Sequence, residues 1–357
     1  MCTASPFRRP LLLTLAVLAA LVPWGAPRAA ETILRKNDKP VAGDVAAVSK
    51  TEVTVKVRGA KEETLAIPAN AVISIAWSGE ASDAGLARSD EAGGRFQKAI
   101  DGFKKALQAG KSSNPLAKTE LEYMIVRAQA RQALAEPSGL DAAIKALDEF
   151  RAKDHYRHFE AVELLGQLYL ARKDFVQAQT AFDALGRAPW KETKLSAKVA
   201  LGRVHEAQGK FDDAMAAFEA VINDSAEGPL QEAQRQAAML AKARVLLVRK
   251  NADEALKLLA AIAEQADADD HHLLAEVYLR KGDCLREKGQ DKDAVLAYLY
   301  VELLFSSERA AHSEALFQLA RLWEKIGQKT RAEDAKARLE REHPGSAWLA
   351  QLKAPAE

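Results

Sequence analysis

Leu201-Gly202-Arg203-Val204-His205-Glu206-Ala207-Gln208-Gly209-Lys210-Phe211-Asp212-Asp213-Ala214-Met215-Ala216-Ala217-Phe218 holds a glycine, an alanine twelve positions on and an aromatic four beyond it. The same spacing stands at Gly166, Ala178 and Phe182 and again at Gly282, Ala294 and Tyr298. An aliphatic residue follows each aromatic by three, at Leu185, Val221 and Val301. With Ala255 and Ala332 added, the steps between equivalent alanines (178, 214, 255, 294, 332) are 36, 41, 39 and 38 residues. A period of roughly 20–50 residues marks stacked supersecondary units, each too small to bury its apolar face alone. The small residue predicts the point where two helices of a hairpin touch, and the aromatic is expected on the face that meets the next hairpin.

This pattern resembles the tetratricopeptide repeat family. The resemblance implies a mainly α, α-α superhelical solenoid with a concave groove that holds another molecule. Beyond Ser78-Gly79-Glu80, with Ser82 or Asp83 as expected N-cap, the apolar period becomes 3.6, predicting a helical region over residues 82–352 and a tail at 353–357. Phe96, Ala99, Phe103 and Ala106 mark a first unit stopping near Gly110; Leu121 to Leu134, a break at Glu136-Pro137-Ser138-Gly139, and Leu140 to Phe150 mark an irregular second. The count is about seven hairpins. Glu342-His343-Pro344-Gly345 ends the last one, and Trp348 with Leu349 reads as a terminal cap.

Counting from the small residue separates two faces of each first helix. Positions minus four, minus one and plus three (Val162, Leu165, Tyr169; Leu316, Leu319, Trp323) form a core stripe, with His205 a packing histidine in the slot of Tyr169. Minus three (Val199, Leu240, Leu279, Phe317) and plus one (Arg203, Arg244, Asp283, Arg321) lie on the neighbouring face, followed at plus four by Glu206, Leu247, Arg286 and Glu324. In the resembling family that face lines the groove. The expected partner-binding set is Val199, Arg203, Leu240, Arg244, Leu279, Arg286, Phe317 and Arg321. An apolar row beside a mostly basic one fits a peptide or helix that is amphipathic and acidic, its carboxylates meeting planar guanidinium forks. The alternative is that these arginines pair locally, as Arg321 with Glu324. Some members of the family grip a C-terminal carboxylate with a lysine and an asparagine at minus three and plus one; this chain has neither there.

Residues 1–30 contain Arg8 and Arg9, the apolar run Leu11 to Val22, then Pro23, Gly25, Pro27 and Ala29-Ala30, with no acid. That order predicts a secretory signal peptide and an exported protein of the periplasm or cell envelope. The run falls short of the ~20 residues of a spanning helix, so no membrane span is expected after cleavage. Without Arg8, Arg9 and Arg28 the 51 basic residues become 48 against 50 acidic ones. A near-neutral balance gives no pull toward nucleic acid. Cys284 is the one cysteine beyond the leader, so no internal disulfide is expected.

Between residues 31 and 80 the texture is alternation: Val53, Val55 and Val57 on one face, Glu52, Thr54 and Lys56 on the other. Short runs at 32–36, 41–48, 62–67 and 72–77, separated by Asn37-Asp38-Lys39-Pro40, Gly59-Ala60 and Pro68-Ala69-Asn70, complete five expected strands. Their order resembles an SH3-like or Sm-like barrel, expected as a packing or docking cap on the solenoid.

Chemical motifs fail at required positions. His205-Glu206 lacks the second histidine of a zinc-protease helix, position 209 being glycine, and Gly110-Lys111-Ser112-Ser113 lacks the upstream glycine of a phosphate loop. Asp267, Asp269, Asp270, His271 and His272, and His155 with His158 near Asp154, are the metal hints; the acids are explained by the helix start that follows them. No cofactor, metal or catalytic set is expected. The sequence thus reads as a non-catalytic scaffold for a protein partner; the competing class is an enzyme or ligand-binding protein with its site in the β module.

Overall fold

The computed structural model describes residues 30–36, 38–57, 63–110, 114–135, 139–224 and 227–354. Outside them fall the expected leader, the turn residues Asn37 and Gly59-Ala60, the Lys111-Ser112-Ser113 look-alike, the break at Glu136-Pro137-Ser138 and the last three residues of the tail.

Five antiparallel strands come first: β1 (Glu31–Arg35), β2 (Asp38–Val48), β3 (Glu52–Val57), β4 (Glu63–Pro68) and, after a 3₁₀ turn at Ala69–Ala71, β5 (Val72–Ala76). Their order in the sheet is β4-β3-β2-β1-β5. β2 begins at Asp38, inside the expected turn, and Arg35 binds Asp38 across the hairpin at 2.7 Å. The first half of β2 pairs with β1 and the second half with β3. Gly43 sits where the strand changes partners; a Cβ there would lie 2.6 Å from the Lys56 carbonyl oxygen, so only glycine allows the crossing. The outer strands β4 and β5 do not pair with each other, so the sheet is not a closed barrel. The barrel expected from the strand order is corrected to an open, bent sheet. Its core of Ile33, Val45, Val53, Val55, Ile67 and Ile75 is completed by Trp77 and by Ala117 and Tyr156 of the helical region. The missing closure is made good by packing against helices.

Seven helical hairpins follow: α1 (Ser82–Ala92) with α2 (Phe96–Ala109), α3 (Pro115–Ala135) with α4 (Leu140–Arg151), α5 (His158–Ala171) with α6 (Phe175–Leu185), α7 (Lys191–Ala207) with α8 (Phe211–Ile222), α9 (Pro229–Val248) with α10 (Ala252–Gln265), α11 (His271–Glu287) with α12 (Asp291–Leu304), and α13 (Arg309–Lys325) with α14 (Lys329–Glu342). α15 (Ala347–Lys353) caps the end, Trp348 stacking on Phe317 with ring centroids 5.0 Å apart. α1 starts at Ser82 itself, so the N-cap falls one residue before the expected ones: Ala81 holds that position and gives no side-chain bond.

The repeated glycine has a direct cause. A Cβ on Gly166, Gly202 or Gly282 would stand 2.4–2.5 Å from the ring of Phe182, Phe218 or Tyr298. Each aromatic therefore packs on the glycine of its own hairpin, sixteen residues back, and not solely on the next hairpin as the spacing suggested. The hairpin turns repeat too. Lys173, Gly209, Lys250, Gly289 and Gly327 all take positive φ, and the backbone N–H after each returns to a carbonyl five residues back, as from Lys210 to His205 at 2.9 Å.

Candidate partner-binding groove

The first helices α5, α7, α9, α11 and α13 stand in a row, and the expected groove residues lie along it. The apolar set does not project as anchors: Val199, Leu240, Leu279 and Phe317 are all buried. Leu240 and Leu279 are used in the seams between hairpins, and Phe317 is covered by α15 through Trp348. Val199 also lines a cavity between α5, α7 and α9.

Most of the charged set is paired from helix to helix. Arg244 reaches back from α9 to Glu206 on α7 at 3.1 Å. Arg280 on α11 binds Glu314 on α13 at 2.8 Å and Asp283 at 2.5 Å, and Tyr298 donates to Asp283 at 2.7 Å. Burial works against the Arg280 charge, but Asp283, Glu314 and Glu276 outweigh it and hold the proton more firmly than usual. Arg286 donates to Gln318 at 3.3 Å and lies 3.6 Å from Asp283. Arg321 lies 5.5 Å from the centroid of the Phe317 ring. Among the described residues no ion pair joins Arg321 to Glu324, which meets Lys336 instead at 3.5 Å. Local pairing thus accounts for Arg244 and Arg286, through partners other than the one expected for Arg321.

Arg203 differs. Among the described residues it has no hydrogen bond or ion pair, and its Nε is enclosed without a partner. Burial, then the neighbouring Arg244, weakens its hold on its proton. It faces a cavity of about 430 Å³ whose wall also carries Glu163, Gln167, Ser196 and Gln234, with Leu170, Phe182 and Ala200 as apolar lining. Burial raises the Glu163 carboxyl above its ordinary range, opposed by the Ser196 hydroxyl that donates to it at 3.1 Å. Glu163 occupies the minus-three place of the α5 unit, one unit before the set singled out in the sequence; counting back from Gly166 would have found it.

The β module docks at the entrance to this row. Arg157 donates to the Ile73 carbonyl at 2.8 Å and binds Glu120 at 3.2 Å and Glu160 at 2.9 Å. Lys50 N–H donates to Asp154 at 2.9 Å, and Asn70 donates to Glu192. A second cavity of about 310 Å³ at this joint, lined by Lys36, Asn70, Arg127, Arg157 and Glu160, has its arginines and Glu160 already in mutual pairs.

The metal hints do not assemble. His155 is buried between Phe150 and Tyr156, and His158 bonds the Arg151 carbonyl at 2.9 Å. Asp270 caps α11 through Leu273 N–H at 3.0 Å, as the helix-start reading requires. His205 is half-buried and Cys284 fully buried, its thiol pushed up to about 12 by burial. The cluster that does assemble, His312, Glu342 and His343, was not singled out, since no local spacing links positions 31 residues apart.

Residues 127–191 and 199–271 match the tetratricopeptide repeat, and residues 314–346 match a second form of it. Tetratricopeptide repeats are thus detected over those stretches of the solenoid. No curated protein matches the sequence. Solved structures share the fold: a Rap protein complexed with competence and sporulation factor superposes with a TM-score of 0.51 at 14% identity, covering 76% of this chain and 79% of that one. Aspartyl phosphate phosphatase F from Bacillus subtilis gives 0.51 at 15% identity over 75% and 70%. At such identities the likeness is one of fold.

Proposed function

We propose that this chain is a non-catalytic scaffold of the cell envelope, exported by its first 30 residues, that seats an acidic, amphipathic segment of a partner protein against Arg203. The observation that carries the reading is the unpartnered Arg203 guanidinium facing an open cavity. Arg203 is half-buried, and Glu206, Glu163 and Glu276 lie near enough to favour its charge without bonding it, so its donors stay open to an incoming carboxylate. A carboxylate entering the cavity supplies two acceptors to a planar fork of donors, while Val199 and Phe182 offer apolar floor beside it. No helix among the described residues is long and apolar enough to cross a membrane.

The test is capture of partners from a cell-envelope fraction on the immobilised chain beginning at Glu31, with identification by mass spectrometry. Wild type should hold a partner that elutes with salt; Arg203→Ala and Arg203→Lys should both lose it, the lysine keeping charge but not the fork, while Arg321→Ala keeps it. Equal capture by wild type and Arg203→Ala removes the groove from consideration and turns attention to the β module.

A further inference from the structure

His312 lies in the first turn of α13, and His343 follows the last residue of α14 in the turn toward α15. The antiparallel hairpin brings them together: His312 Nδ1 and His343 Nε2 are 2.9 Å apart, and both rings are buried. One ligand atom from each, with a carboxylate oxygen of Glu342, all lie within 4.8 Å of one another. We propose that His312, His343 and Glu342 bind a divalent transition-metal ion of the zinc type, which staples the start of α13 to the end of α14.

The donor set suits such an ion. Two imidazoles and one carboxylate are a known ligand combination for zinc, and they leave a fourth position for water or another ligand. Bonds of about 2.0–2.1 Å at tetrahedral angles place ligand atoms about 3.3 Å apart. The two nitrogens are already near that spacing, and the carboxylate must close in by an ångström or so.

Without an ion the two facing ring nitrogens have only each other. The two rings share one hydrogen bond, and His312 Nε2 is enclosed with no partner.

Glu342 is free to turn. Its 2.8 Å contact is with Arg341, which is 67% exposed, and a pair of that kind is worth about 0–1 kcal/mol. Its other partner, Arg338, keeps Glu302 if Glu342 moves away. Arg309, the remaining nearby cation, already donates to the Glu342 carbonyl at 3.1 Å. Such an ion would fix the hairpin under the cap that α15 forms.

The experiment is a calorimetric titration of the chelator-treated full chain with Zn²⁺, paired with thermal melts and with the visible spectrum after Co²⁺ addition. Wild type should take up a single Zn²⁺, melt higher with it, and give the intense absorption of tetrahedral Co²⁺. Glu342→Gln, half-exposed and expected to fold normally, should weaken binding about tenfold or more, and His343→Gln further. His158→Gln and His272→Gln should change nothing. Absence of Zn²⁺ binding by wild type overturns the proposal. So does binding that Glu342→Gln leaves unchanged or that His158→Gln or His272→Gln removes.

Discussion

Adding a single methyl group at Gly202 tests the repeat at its tightest point. The new Cβ would stand 2.4 Å from Cε1, 2.8 Å from Cδ1 and 3.0 Å from Cζ of Phe218. Carbon atoms settle at about 3.5–4.0 Å, so the ring or the helix must give way by about 1 Å. Phe218 is fully buried beside Leu195, Ala214 and Val245, so the ring moves only against packed neighbours. Overpacking of this kind costs about 1–3 kcal/mol. Alanine returns up to about 1 kcal/mol through its helix propensity. The expected net loss in Gly202→Ala is about 1–2 kcal/mol, read from urea unfolding followed by far-UV circular dichroism. Phe218→Leu removes the obstructing ring edge, so the double variant should be more stable than the summed single losses by about 1 kcal/mol. Gly209→Ala, in the same hairpin but with no neighbour within 4 Å and φ of +74°, should lose stability through its backbone and show no coupling to Phe218→Leu. If Gly202→Ala is as stable as wild type, or if the cycle with Phe218→Leu is additive, the ring does not close the hairpin as described.

Lys250 holds φ of +60° at the turn position where four other hairpins have glycine (Gly94, Gly209, Gly289 and Gly327), so Lys250→Gly should stabilise the chain by about 0.5–1 kcal/mol in the same urea assay, the relief of strain exceeding the added freedom of the unfolded chain. His155 is kept neutral by burial down to about 4 against an ordinary 6.5, although its Nε2 lies 3.7 Å from Glu120. The unfolded state therefore binds the proton first: this contribution is complete above pH 6.5 and is lost as pH falls toward 4. His155→Gln should reduce the pH dependence of stability across that window, by at most about 1.4 kcal/mol per pH unit, and an unchanged slope would show that another group governs it.

Much of the fold was legible because its determinants are local. The helix ends near Gly110 and Pro344 and the alternation of Val53 and Val55 depend on backbone preference and on periods of 3.6 and 2, which a short window of sequence displays. The site was legible in part. Position counting found Arg203 and Arg244 on the shared face of the first helices, yet placed Leu240, Leu279 and Phe317 there as free anchors, whereas all three are buried. Their burial depends on how far each hairpin rotates against the next, and a few degrees decide whether a residue at the edge of a helical stripe faces a seam or solvent.

By itself the sequence determined a stack of helical hairpins behind a small β module, because a glycine facing an aromatic sixteen residues on is a requirement of one hairpin and needs no knowledge of its neighbours. Only the tertiary structure decided that the sheet stays open and borrows Ala117 and Tyr156, that Arg244 and Arg286 have partners while Arg203 lacks one, and that His312 meets His343. Each of those outcomes joins groups on different elements. Contact at such range is set by the packing angles between elements, and those are fixed only when all the seams close together.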